Sequence, residues 1–205
     1  MTRHGAGLLC LILGGVCAAL ALGLTLWNLR EERQTAAVTE ELLPALARTI
    51  EIRREQPTAG TSADSAIPGN NPEKVETTVE VDGARYLGYL TIPALDLQLP
   101  VRAELTDGAL RLSPCRYSGT AEGGGLVIAA HNYREHFAAL STLKEGDAVY
   151  FTDAGGVLHV YAVSCLETLN AAETERMTGG GWDLTLFTCT YSGRARLTVR
   201  CTRMG

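Results

Sequence analysis

An uncharged apolar run near the start of the chain divides this 205-residue sequence into unlike parts. No charged residue occurs between Gly5 and Leu29. As a helix, residues 7–27 would be roughly 30 Å long at about 1.5 Å per residue, which matches the hydrocarbon core of a bilayer. We therefore expect residues 1–29 to form an N-terminal membrane anchor. A cleaved signal peptide with Ala19-Leu20-Ala21 as its cleavage site is the alternative.

The next segment, residues 30–72, is predicted to be a solvated stalk. Its first half is rich in Glu, Arg, Ala and Leu, and Leu42, Leu46 and Ile50 recur every fourth residue, which favours an exposed helix interrupted near Pro44. Its second half changes to Thr, Ser, Gly, Asn and Pro, a composition typical of a linker. A folded domain is then expected over residues 73–205.

The remaining residues, about 120 after the boundary region, suffice for one modest core. Two short helical patches are predicted over 136–143 and 171–177. The fold class indicated is mainly β, a closed barrel or a sandwich with few helices. Seven short runs rich in β-branched, Leu and aromatic residues predict strands: 86–92, 97–101, 125–130, 148–152, 157–165, 183–188 and 196–201.

Three polar side chains at strand ends are the candidates for chemistry. His131 follows an apolar strand, and Cys189 ends another, where a thiol is open to substrate. Arg196 begins the last strand and lies at the same end of the sheet if the two strands pair. A thiol, an imidazole and a guanidinium placed together can serve as nucleophile, proton shuttle and oxyanion stabiliser. Arg194, two residues earlier, is the competing arginine.

The motifs around these residues resemble those of sortases. Thr185-Leu186-Phe187-Thr188-Cys189 is similar to the Thr-Leu-x-Thr-Cys signature of that family, and Ala130-His131-Asn132 resembles its histidine motif. Arg196 stands where the family's catalytic arginine follows the cysteine. The resemblance covers residues 86–203 in the family's order and is nearest to class B-like, class D-like or unclassified sortases of Gram-positive bacteria.

This resemblance implies an eight-stranded β-barrel that works as a cysteine transpeptidase. Cys189, His131 and Arg196 would be catalytic, and Asn132, Thr188 and Thr190 would contact the substrate. The expected partners are secreted proteins with a C-terminal sorting motif and an amine acceptor on a cell-wall precursor or pilin. The expected location is the cell membrane, with a single pass and an extracellular catalytic domain. No cofactor and no metal ion are expected.

Other readings remain open at this stage. The net charge of −5 and the pI near 5.4 argue against a nucleic-acid partner. A caspase-like protease would need a different sequence around its cysteine. A membrane-anchored β-barrel binding module with a merely buried Cys189 is the non-catalytic alternative. We expect Cys115, Cys165 and Cys201 to be buried thiols, with one disulfide pair among them as the alternative. We expect His136 to be structural and His159 to lie on one face of its strand.

Overall fold

The structure, a computed structural model, describes residues 3–55, 77–190 and 193–204, with the side chains of 3–11 and 27–39 excepted. The first helix, α1, runs from Arg3 to Glu55 and passes through Pro44, so the predicted interruption does not occur. None of the helices in these ranges combines the length and the apolarity needed to cross a bilayer. The predicted linker, 57–72, lies outside the described residues.

In the part of the chain that the structure describes, nine strands form one sheet, and eight of them close into a barrel. The order is β1-β2-β3-β4-β5-β8-β9-β7-β6, and a further pairing of β2 with β6 closes the ring and leaves β1 outside it. The predicted closed eight-stranded barrel is therefore confirmed. The strands are β1 Val79–Val81, β2 Ala84–Ile92, β3 Leu97–Arg102, β4 Cys115–Thr120, β5 Gly124–Ala129, β6 Ala148–Asp153, β7 Leu158–Asn170, β8 Leu184–Cys189 and β9 Ala195–Arg203.

Closure of the barrel depends on a glycine in β2. Gly88 pairs with Val101 of β3 on one side and with Asp153 of β6 on the other, directly after a register shift in β2. Its φ is +143°, and a Cβ atom there would lie 1.9 Å from the Thr152 carbonyl oxygen. Because only glycine tolerates both the conformation and the contact, this position lets β2 join two neighbours at once.

Alternation along the strands separates an inner and an outer face. Leu126, Ile128 and Ala130 belong to the main apolar cluster inside the barrel, as do Leu184 and Leu186. The intervening residues point to the other side, since successive side chains of a strand face opposite ways. The outer faces of β5, β8 and β9 are covered in part by two short helices, α2 (Asp107–Leu112) and α3 (Thr174–Thr178).

The helical half of the predicted stalk packs on the barrel instead of extending into solvent. Leu42, Leu46 and Ile50 are 6 %, 0 % and 3 % exposed and form an apolar cluster with Val79, Tyr86 and Ala154. Residues four apart share one face of a helix, so this stripe supplies a continuous apolar edge. The expectation of an exposed helix is wrong for residues 42–50.

The helical predictions in the barrel region are partly met. A 3₁₀ turn covers Ala138–Thr142 and α3 covers Thr174–Thr178, so both patches are helical but shorter than expected. Helix α2 and strands β1 and β4 were not predicted. Thr106 caps α2 by accepting the Ala109 N–H at 3.1 Å. A Thr followed by an Asp is typical of a helix start, and this pair is the sequence signal that could have predicted α2.

Candidate active site

The strand register brings the three candidate residues to one edge of the sheet. β5 and β8 are parallel, with Ala129 opposite Phe187, so His131 and Cys189 each lie two residues beyond a matched pair. The Ala130 N–H donates to the Phe187 carbonyl at 3.1 Å and holds this end of the ladder together. β8 and β9 are antiparallel, and Cys189 is paired directly with Arg196.

Strand alternation also places the candidates on the same face. Thr185, Phe187 and Cys189 occupy the outer positions of β8, and Arg196, Thr198 and Arg200 occupy the outer positions of β9, whereas their neighbours Leu186 and Val199 belong to the inner core. His131 continues the outer series of β5. The site is therefore on the outside of the barrel wall, at its rim.

A cavity of about 210 Å³ opens at this rim and is lined by His131, Cys189 and Arg196 together. All three are half-buried. Its floor is apolar, and one side is formed by α2 and β4 and the other by the segment that contains α3. The remaining lining residues are Leu105, Leu110, Tyr117, Ala129, Ala130, Asn170, Ala171, Glu173, Thr174, Met177 and Phe187.

Arg196, rather than Arg194, reaches the cavity. Arg194 precedes β9, is exposed and is not among the cavity-lining residues. The Arg196 Nη1 donates to the carbonyls of Gly193 at 3.1 Å and Ala195 at 3.3 Å. A guanidinium carries five N–H donors, so these two bonds anchor the group without exhausting its capacity to bind an oxyanion.

The three predicted substrate contacts are not placed in the cavity. Thr188 is 2 % exposed, and its Oγ1 has no hydrogen-bond partner among the described residues. The Thr190 N–H donates to the Ala195 carbonyl at 2.9 Å, and its hydroxyl lies 3.3 Å from the same oxygen, so Thr190 closes the turn between β8 and β9. Asn132 is half-buried outside the lining.

His131 is supported by a stack of rings. Its imidazole stacks on Tyr133 with centroids 4.8 Å apart, and Tyr133 in turn lies 5.7 Å from the ring of His136. His136 is fully buried. Burial, with a smaller contribution from His131, lowers the pKa of His136 to about 4, and the Leu112 backbone opposes this only in part. His136 is thus a neutral, structural residue.

The other histidine and the other cysteines have no place in the cavity. His159 is 6 % exposed, and its Nε2 lies 2.7 Å from Asp153 Oδ2. All five cysteines whose side chains are described are free thiols. Burial raises the pKa of Cys115 and Cys201 to about 12, so both are inert. Cys165 is exposed, and the expectation that it is buried is wrong.

The sequence analysis missed most of the cavity wall. Tyr117 comes from the unpredicted strand β4 and packs edge-on against Phe187 with centroids 5.3 Å apart. Leu105 and Leu110 come from the segment around α2. Met177 was assigned to a helical patch, but nothing in its spacing showed that the patch would cover the outer face of the sheet.

Comparison with known proteins agrees with this geometry. The sortase domain profile matches residues 90–204. Sortase C1 from Streptococcus suis is 27 % identical with a TM-score of 0.52, over 58 % of this chain and 73 % of that one. Group B Streptococcus pilus island 1 sortase C2 is 26 % identical with a TM-score of 0.53, over 62 % and 77 %. A comparison with curated proteins finds no match.

The chain belongs to the sortase family, because the domain profile covers more than half of it. It is a cysteine transpeptidase, as members of that family are. The two streptococcal structures are sortases C, whereas the prediction was class B-like, class D-like or unclassified. A Clostridium perfringens sortase D5 transpeptidase is similar over 82 % of this chain, with a TM-score of 0.61, but at 15 % identity it shows the fold alone.

Proposed function

We propose that Cys189, His131 and Arg196 carry out the transpeptidation, with Cys189 as nucleophile. The observation that carries this proposal is that the three side chains, from β8, the end of β5 and β9, line one cavity on the outer face of the barrel. Cys189 is half-buried at the edge of this cavity, whereas the non-catalytic binding module would need a buried thiol.

The first half of the reaction forms an acyl-enzyme. The Cys189 thiol gives its proton to His131, its Sγ attacks the carbonyl carbon of the scissile peptide bond, and negative charge develops on the carbonyl oxygen. The Arg196 guanidinium stabilises this oxyanion. The C–N bond then breaks, the leaving amine takes a proton from His131, and a thioester remains on Cys189.

The second half transfers the acyl group to an amine. The acceptor nitrogen attacks the thioester carbon and gives a proton to His131, and the Cys189 sulfur leaves and takes that proton back. The product is a new amide, and the enzyme is regenerated. The Tyr133 ring stacked on His131 holds the imidazole in one orientation for both proton transfers.

The donors that this site would accept are secreted proteins with a C-terminal sorting motif. The apolar floor formed by Ala129, Phe187 and Met177 suits apolar side chains of an extended peptide. The acceptor is an amine on a cell-wall precursor or a pilin subunit, and the name of the Group B Streptococcus pilus island 1 sortase favours the pilin.

An acyl-enzyme trapping experiment tests this function. The full chain is incubated with a library of sorting-motif peptides, and intact mass and peptide mapping locate any adduct. The expected result is a thioester on Cys189 that hydroxylamine, as a small amine acceptor, releases as a hydroxamate. Peptides with a free N-terminal glycine or a lysine side chain then compare the two acceptor types.

The matched controls for this experiment are Cys189→Ala and Cys165→Ala, since Cys165 is an exposed thiol elsewhere on the barrel. Cys189→Ala should abolish the adduct, and Cys165→Ala should leave it unchanged. An adduct that persists in Cys189→Ala would refute the assignment of the nucleophile.

Attachment to the cell membrane through residues 1–29 is part of the same proposal. Its support is the uncharged run from Gly5 to Leu29 and the seven large apolar side chains exposed over residues 12–26 of α1, namely Ile12, Leu13, Val16, Leu20, Leu22, Leu24 and Leu26. A continuous apolar surface of this kind favours a partner that is itself apolar. The proposed orientation has the N-terminus inside the cell and the catalytic domain outside it.

Flotation with lipid vesicles tests the anchor. The full chain should float with the vesicles and resist alkaline extraction, and a chain lacking residues 1–29 should remain in the soluble fraction. Equal behaviour of the two chains would contradict membrane attachment. Protease added outside intact cells should digest the barrel domain if the orientation is correct.

A further inference from the structure

Arg200 is a buried cation that the proposed chemistry does not use. It is 2 % exposed and lies on the outer face of β9, on the same side as Arg196 and Thr198. A buried arginine is costly unless its charge and its N–H donors are all matched. Its partners therefore indicate what it holds in place.

The Arg200 guanidinium joins two strands to helix α3. Its Nε donates to Glu167 Oε1 of β7 at 2.8 Å. Its Nη1 donates to the Met177 carbonyl and to Thr185 Oγ1 of β8, both at 2.9 Å. Its Nη2 donates to the Arg176 carbonyl. Arg176 and Met177 lie in the last turn of α3, where helix carbonyls have no partner within the helix.

Ion pairs extend this contact to the start of α3. Glu167 Oε2 pairs with the Arg176 Nη2 at 3.0 Å, and the Arg176 Nη1 pairs with Glu173 Oε1 at 2.7 Å. Glu173 Oε2 accepts the Asn170 N–H at 2.7 Å. This backbone donor and then Arg176 lower the pKa of Glu173, so it stays ionised and the two cations are matched by two carboxylates.

The segment that these bonds hold is one wall of the active-site cavity. Asn170, Ala171, Glu173, Thr174 and Met177 all line it opposite α2. Helix α3 has five residues, and a helix this short has little stability of its own. Its place in the cavity wall must come from tertiary contacts, and the Arg200 bonds to its Arg176 and Met177 carbonyls are directional ones, together with the Arg176–Glu167 ion pair and the Thr198 hydroxyl bond to Met177 Sδ at 3.8 Å.

We propose that Arg200 is a positioning residue, which fixes the α3 wall of the cavity through the Arg176 and Met177 carbonyls and so determines how tightly the donor peptide is held. The inference rests on the proposed function of the cavity. Arg200 does not line the cavity and takes no part in the acyl transfer.

Substitution of Arg200, with Arg203→Met as matched control, tests this role in the full chain. Arg203 is on the same strand but contacts Ala121 and Tyr161 instead of α3. For Arg200→Met, KM for the most reactive library peptide should rise by about tenfold or more while kcat changes by less than about threefold. Arg200→Lys should recover only part of the loss, because an ammonium cannot reproduce the fork of bonds.

Hydrogen exchange of residues 173–178 supplies a readout that does not depend on turnover. Exchange in this segment should accelerate in Arg200→Met and stay unchanged in Arg203→Met. A folded Arg200→Met with unaltered exchange and unaltered KM would overturn the proposal.

Arg200→Lys covers the case in which Arg200→Met does not fold. A lysine keeps the buried positive charge near Glu167 but cannot reproduce the bonds to the Arg176 and Met177 carbonyls. Faster exchange of 173–178 in Arg200→Lys supports the proposed role of Arg200, and unchanged exchange refutes it. If the unmodified chain transfers no peptide at all, the proposed function fails, and the exchange data still decide whether Arg200 holds the wall.

Discussion

The two faces of strands β5, β8 and β9 have opposite roles, although their residues alternate along the same chain. On the inner face Ile128, Leu186 and Val199 are fully buried in the apolar core. On the outer face Cys189 and Arg196 line a cavity, and Arg200 is buried among polar partners. The inner face stabilises the fold through apolar burial, which is non-directional. The outer face makes directional hydrogen bonds and ion pairs, and these require a charge to be buried.

Thiol reactivity should show the largest difference between the faces. Cys201 is fully buried on the inner side with its pKa raised to about 12, so roughly one molecule in 10⁴ carries the thiolate at pH 8. Iodoacetamide should modify Cys189 at least about 10³-fold faster than Cys201 in the folded protein. Mass mapping over a time course measures both rates, and equal rates would remove the distinction.

Truncation on the inner face should destabilise the protein strongly. Leu186 is 0 % exposed, so Leu186→Ala should lower the free energy of unfolding by about 2–5 kcal/mol. Leu158→Ala, the same substitution at a side chain 56 % exposed on β7, should change it by less than about 0.5 kcal/mol. Urea denaturation compares them, and similar losses would show that the inner face is not the stabilising one.

The buried histidine behind His131 should make stability depend on pH. The pKa of His136 is about 4 in the folded protein against 6.5 ordinarily, so the unfolded chain binds more protons between these values. The free energy of unfolding is therefore not lowered by protonation of His136 above pH 6.5. It decreases as the pH falls toward 4, by about 3 kcal/mol in total. Thermal unfolding across this range should show the loss.

His136→Phe is the matched variant for that measurement, since it keeps a ring against Tyr133 without a titratable group. Its stability should depend less on pH between 6.5 and 4 than that of the unmodified chain. Identical pH profiles for the two chains would show that His136 is not the group responsible.

The inner face was predictable from the sequence, and so was the position of the candidate catalytic residues. Seven strands and the end positions of His131 and Cys189 follow from short apolar runs, and the closed eight-stranded barrel follows from the resemblance of the local motifs to those of sortases. These signals lie within a few neighbouring residues and do not require knowledge of the tertiary packing.

The cover of the outer face could not be predicted in the same way. Helix α2 is six residues long, too short for a periodic signal, and the predicted helical patch that contains α3 gave no sign of the surface on which it packs. Arg200 is buried because partners from β7, β8 and α3 surround it, and these are distant in sequence. Helical spacing likewise places Leu46 on an apolar stripe of α1, but it does not show that this stripe packs in one cluster with Tyr86 of β2.

The transpeptidation rate of matched single variants tests the central claim most directly. Cys189→Ala, His131→Ala and Arg196→Met should each lower kcat/KM by roughly 10³-fold or more. Their counterparts outside the cavity, Cys165→Ala, His159→Gln and Arg194→Met, should remain within about fivefold of the unmodified chain when folded. Full activity in any member of the first set, or its loss in Arg194→Met with Arg196→Met active, would contradict the account.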